Sequence, residues 1–187
     1  TEAVVLSKLN YGDTSSIVSL YTKSDGKLSA IVKGGRGPKS KIGKVIDPLN
    51  HLQVIIYKKT TRDVQILSDA NLISHFVNTK EDLDATRYSF AIIELVKNLT
   101  SEHETNSKLF QGEIKILNMI DEKKEAPAFL FGRFLLFFLS ELGYEISADK
   151  CTSCGNKMIT NQTLGFSFES GFVCSNCFES HSGLENV

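Results

Sequence analysis

Near residue 79 the hydrophobic period of the chain changes from two to 3.6, and this switch divides what the two parts can fold into. Before it lie five β-branched, partly alternating runs: EAVVLSKL (2–9), SSIVSLYTK (15–23), KLSAIV (27–32), HLQVIIYKK (51–59) and DVQIL (63–67). Asn10-Tyr11-Gly12-Asp13 and Ser24-Asp25-Gly26 supply turns between the first three. Five strands in so short a span predict a small barrel, of the OB or the SH3-like type. Residues 71–78 read as a connector, and Thr79 with Asp82 as a capping box for a first helix carrying Leu83, Tyr88, Ile92, Leu95, Val96 and Leu99. A polar loop (100–107) precedes a second helix, Lys108–Asp121, with Leu109, Phe110, Ile114, Leu117 and Ile120 inward. Pro127 opens and Gly143 closes a third, apolar nearly all round, which predicts a central position. Its Phe-rich stripe is alternatively a groove for a partner's apolar segment.

The C-terminal part carries two C-x-x-C knuckles, Cys151/Cys154 and Cys174/Cys177, with nineteen residues between them. That spacing suits a four-cysteine zinc site, since each knuckle offers two thiolates from one tight turn and two knuckles complete a tetrahedron. Gly155 favours the first turn, and Phe166 and Phe168 before Gly171 predict a hairpin that joins the knuckles. His181 is a competing ligand, but four cysteines fill the shell. A filled shell leaves no position for an activated water, so one structural zinc ion is expected rather than a catalytic one. A redox reading of C-x-x-C needs a βαβ context that the sequence lacks.

The third feature is Gly26–Ile46, which contains six cations and no acid. It reads as a strand running into a glycine-studded basic loop. Gly34, Gly35 and Gly37 permit main-chain N–H groups to converge with Lys33, Arg36, Lys39, Lys41 and Lys44 on a phosphate, while the plain alternative is a solvated loop. Lys8, Lys27, Lys58, Lys59 and Arg62 extend the basic surface if they share its face. Tyr11, Tyr21 and Tyr57 are candidates to stack on bases or to cap the core. The formal net charge of −1 hides an asymmetry: twelve Lys+Arg against six Asp+Glu in residues 1–80, nine against sixteen afterwards. Two surfaces with different partners are expected.

Other classes are disfavoured. Pro38 stands where a Walker A loop needs its second glycine, and the four histidines are scattered, so no enzyme is expected. The apolar stretch Ala126–Leu142 is interrupted by Arg133 and Glu141, which argues against a membrane span. TEAVVLSK has neither a signal peptide's charged start nor its apolar core and lacks an initiator Met, so a cytoplasmic chain trimmed at this end is expected.

The run EAVVLSKLNYGDTSSIVSLYTKSDGKLSAIVKGGRGPKSKIG, then PLNHLQVIIY, IIELV, ELGYE and C-x-x-C-G…FSFESGFVC-x-x-C, closely resembles the RecO family of bacterial recombination mediators over nearly the whole chain. The resemblance implies an α+β multidomain protein: an OB-fold DNA-binding domain (1–78), an α-helical domain (79–147), a zinc-binding module (148–181) and a truncated or short C-terminal tail (182–187), family members usually continuing into further helices. It implies binding of single- and double-stranded DNA, strand annealing, and work with RecR and single-stranded DNA-binding protein in loading RecA, in a bacterial, nucleoid-associated setting. The family's basic surface falls on Lys33, Arg36, Lys39, Lys41 and Lys44, and its zinc ligands on the four cysteines. Two other readings remain at this point: a zinc-ribbon adaptor working through protein contacts of the acidic half, and a zinc-dependent enzyme acting on nucleic acid.

Overall fold

A computed structural model describes residues 1–144, 149–158, 164–167, 171–180 and 185–186. Two compact units are present, Thr1–Leu135 and Leu136–Val187. In the first, β1 (Glu2–Tyr11), β2 (Ser15–Thr22), β3 (Gly26–Val32), β4 (His51–Tyr57) and β5 (Val64–Ser74) close into a barrel of order β1-β2-β3-β5-β4. β3 and β5 run parallel, and β1 closes on β4 through Glu2–Val4 against His51–Gln53. This is the OB-type arrangement. Inward residues such as Val5, Val18, Leu20, Leu28, Ala30, Leu52, Val54 and Leu67 form its core, and Ile46 from the β3–β4 connection plugs one end.

Register explains several departures from simple alternation. An irregularity between Val5 and Ser7 in β1 leaves the buried Leu6 without a partner in β2 and places Lys8 opposite the core residue Val18. β5 runs on to Ser74, which pairs with His51, so the first half of the expected 71–78 connector is strand. The chain then turns at Phe76 (φ 48°) into a short helix, α1 (Val77–Glu81).

Three longer helices follow: α2 (Leu83–Leu99), α3 (Ser107–Asp121) and α4 (Pro127–Glu141). The expected capping box is not formed. Asp82 is the N-cap of α2, its carboxylate accepting from Ala85 N–H at 2.8 Å, whereas Thr79 is buried inside α1. α2 buries Ala85, Ser89, Ile92, Ile93 and Val96, and Leu83 and Leu99, expected inward, are exposed at its two ends. α3 is capped by Asn106 and buries Leu109, Phe110, Glu113, Ile116, Leu117 and Ile120, while Ile114 is only half-buried. α4 is not enclosed on most sides. It buries the stripe Leu130, Phe134 and Phe138 at i, i+4, i+8 and leaves Phe129 and Leu136 exposed. Among the described residues no helix is long and apolar enough to cross a membrane.

The second unit contains β6 (Leu164–Ser167), β7 (Gly171–Cys174), α5 (Ser175–Ser180) and β8 (Glu185–Asn186), with β6 central in an antiparallel sheet. The expected hairpin is β6–β7, and Phe166 and Phe172 pack edge to face across it at 5.3 Å. Phe168 and His181 lie outside the described residues.

Candidate nucleic-acid interface and metal centre

The loop after β3 is folded, not loose. Gly35 N–H donates to Val32 O, Arg36 N–H to Thr14 O, Gly37 N–H to Gly34 O and Ser40 N–H to Gly37 O. Gly43 N–H donates to the Ser40 hydroxyl, and a 3-10 turn (Ile42–Lys44) follows. The loop folds back so closely that a Cβ on Gly43 would lie 1.7 Å from Gly35 O. The Gly35 and Gly37 N–H groups are thus committed to the chain itself, so these two do not converge on an anion as the sequence suggested. What the loop offers outward is side chains. Lys33, Arg36, Lys39, Lys41 and Lys44 are exposed. Among the described residues none of them takes part in an ion pair. Arg36 gives one N–H to Gly12 O at 3.0 Å, which holds the guanidinium against the β1–β2 turn with its other donors outward.

The ten predicted basic residues divide between the two ends of the barrel. Because β1 and β2 exchange at Tyr11–Ser15 beside the end of β3, the β1–β2 turn and the 33–50 connection share one end. Lys8 belongs there, its ammonium reaching Gly43 O (3.2 Å) and Asp47 (3.0 Å), and Lys8, Asn10, Arg36, Ser40 and Lys44 line an open pocket of about 400 Å³. Asn10 was legible only as a turn residue. Lys27, Lys58, Lys59 and Arg62 sit with the β2–β3 turn and the β4–β5 loop at the other end. There Lys27 donates to Lys97 O (2.7 Å) and Thr100 O, satisfying carbonyls at the C-terminus of α2, and Lys58 pairs with Asp25. Buried Gln65 braces the β4–β5 loop by accepting from Lys59 N–H and donating to Arg62 O.

The tyrosines separate as sharply. Tyr21 is 1% exposed and packs against Phe110 with ring centres 6.1 Å apart, so it is core and not a stacking residue. Tyr11 and Tyr57 are 55% and 65% exposed.

In the second unit the sulfur atoms of Cys151, Cys154, Cys174 and Cys177 all lie within 4.8 Å of one another. Cys154 and Cys174 are 3.8 Å apart, close to the edge of a thiolate tetrahedron around an ion at about 2.3 Å, roughly 3.8 Å. Gly155 (φ 74°) turns the first knuckle, and its N–H donates to Cys151 O. The second knuckle runs from the end of β7 into α5. Burial opposes ionisation of Cys151, but N–H groups around it, led by that of Cys154, hold the thiol down at about 6. At Cys177 Ser153 favours the thiolate, yet the neighbouring Cys154 and Cys174 sulfurs outweigh it and push the thiol up to about 12. Four thiols this close cannot all ionise unless a cation sits among them, and the donor set fits a metal ion with four sulfur ligands.

Residues 1–76 match the family described as Recombination protein O N terminal, and residues 80–187 match that described as Recombination protein O C terminal. A protein named DNA repair protein RecO from Chlorobium limicola is 36% identical over 158 residues, covering 84% of this chain and 60% of the relative. Its namesake from Chlorobium luteolum is 34% identical over 166 residues, covering 88% and 62%. That from Acetivibrio thermocellus is 26% identical over 187 residues, covering 100% and 73%. The chain thus spans about three fifths of the length of the first of these relatives.

Proposed function

Because the chain belongs to the RecO family of DNA repair proteins, we propose that it is a non-enzymatic recombination mediator that grips single- and double-stranded DNA through the folded loop 33–44. The observation that carries this reading is the set of five exposed cations, in no ion pair among the described residues, held on a loop braced by its own backbone hydrogen bonds. Such a surface grips phosphates without reading bases, which suits a protein that acts on any sequence. Annealing of complementary strands and loading of RecA, with RecR and single-stranded DNA-binding protein as partners in the bacterial cytoplasm and at the nucleoid, complete the proposal by family membership. The four-cysteine centre holds one zinc ion in a structural role, since its shell leaves no place for a reactive water.

The test is a salt titration of DNA binding by the whole chain and by the variant Arg36→Ala/Lys39→Ala/Lys41→Ala. Each lost single-strand phosphate contact lowers the slope of log affinity against log salt by about 0.7, so the triple variant is expected to lose about two. Unchanged slope and affinity remove the loop from the interface. A second reading, a protein–protein adaptor without direct DNA contact, draws on the exposed Phe129 and Leu136 of α4. It predicts no DNA binding by the parent.

A further inference from the structure

The register of the barrel places a row of apolar side chains across its outer surface. Leu9 pairs with Ile17, Ile17 with Ile31, and Ile31 with Ile66. All four point away from the core, because the alternating partners Val18, Ala30, Val32 and Leu67 point into it. Leu9 is 65% exposed, and the three isoleucines are half-buried. One step along β1, Tyr11 projects from the same face as Leu9, opposite Ser15. On the other side of the row a second one consists of serines, Ser7, Ser19 and Ser29, paired in register. The apolar row therefore stands above a strip of short hydroxyls on one flank and meets the cationic end of the barrel on the other.

Charge complementarity decides what covers this face. Arg36 is bound to both sides of the β1–β2 turn, through its N–H to Thr14 O and its guanidinium to Gly12 O, so a cation sits next to Tyr11. Lys33 leaves β3 at the same end, and Asp13 is the one acid in the turn. A ring and aliphatic row beside exposed cations fit a strand whose bases are unpaired: phosphates on the cations, base faces on the ring and the row. A duplex keeps its bases stacked inside and can use only the cations.

Resting on the DNA-binding reading above, we infer that Tyr11, with Leu9, Ile17 and Ile31, forms a base-stacking face that makes the barrel favour single strands over duplex. From β1 to β3 this face is about 10 Å wide, two inter-strand spacings. The cations set how tightly any DNA is held, and the row sets which kind.

The experiment measures binding of the full chain to a fluorescent single-stranded oligonucleotide and to a duplex of equal length at one low salt concentration, for the parent, Tyr11→Ala, Tyr11→Phe and Arg36→Ala/Lys39→Ala/Lys41→Ala. Tyr11→Ala is expected to weaken single-strand binding about tenfold, the loss of one stack, with duplex affinity unchanged. Tyr11→Phe, which keeps the ring, is expected to match the parent. Equal loss on both substrates, or no loss on either, overturns the inference; if the cation variant still weakens binding, the DNA-binding reading survives and the row is left to a protein partner. A parent that binds neither substrate overturns both.

Discussion

Glu113→Gln is expected to make the Thr1–Leu135 unit markedly more stable at pH 8 and to leave it nearly unchanged at pH 4.5. Glu113 lies on the buried stripe of α3, 0% exposed, and among the described residues neither carboxylate oxygen has a hydrogen-bond partner. Burial raises its carboxyl from an ordinary value of 4.5 to about 8. The folded state therefore keeps a proton that the unfolded chain releases. Stability is fully present below the unfolded value and falls as pH rises toward the folded one, by about 1.4 kcal/mol per pH unit. Across this window the loss sums to about 4–5 kcal/mol, an upper bound because relaxation and water entry lessen the penalty on a buried charge. Glutamine has the same shape and cannot ionise, so the variant loses this dependence. Urea unfolding followed by circular dichroism at a series of pH values between 4.5 and 8.5 reads the difference directly. With a slope of about 1–3 kcal/mol per molar urea, that upper bound separates the two midpoints by about 1.3–5 M at the upper end of the pH range. Any thiol titration in the other unit affects parent and variant alike and cancels. Parallel midpoint curves would refute the reasoning and mean that Glu113 is ionised and solvated in the folded protein.

Two further perturbations test other parts. Gly43→Ala places a methyl 1.7 Å from Gly35 O, so the 33–44 loop must open; DNA affinity should fall although no charge is removed, and parental affinity would show that the folded loop is not needed. Chelation or Cys174→Ser should raise amide hydrogen exchange across residues 149–180 while β1–β5 keep their protection, because the metal supplies folding energy to that segment; unaltered exchange would remove the structural role of the centre.

The strands and knuckles were legible because they rest on local rules. β-branched alternation marks β1–β5, and C-x-x-C spacing marks the sulfur cluster. What was not legible depends on partners distant in sequence. Tyr21 reads equally as a stacking residue or a cap on the core, and only Phe110, far along the chain, decides for core. The irregularity at Val5/Ser7 resets which side each later residue of β1 faces, and it decides that Leu9 and Tyr11 face outward. Glu113 looks like a polar-face residue, yet its spacing from Phe110 and Leu117 already placed it on the apolar stripe. The division of the cations between two ends follows from strand order, which composition does not contain. The close approach of Gly43 to Gly35, which needs glycine at position 43, joins positions eight residues apart and carries no local signal.

The 100–107 segment has a consequence for anyone cutting this protein into parts. His103 N–H donates to Lys27 O, the Thr105 and Ser107 hydroxyls reach Ser24 O and Lys23 O, and a Cβ on Gly26 would collide with Glu104 O at 2.1 Å. The β2–β3 turn is thus shaped around a segment from between two helices, as one half of a mould is shaped around the other. A fragment ending near residue 78 would keep all five barrel strands and lose the template that fits that turn, along with the cover over Tyr21. The barrel is not a transferable cassette: to graft its basic surface onto another protein, the transplant should run to Leu135.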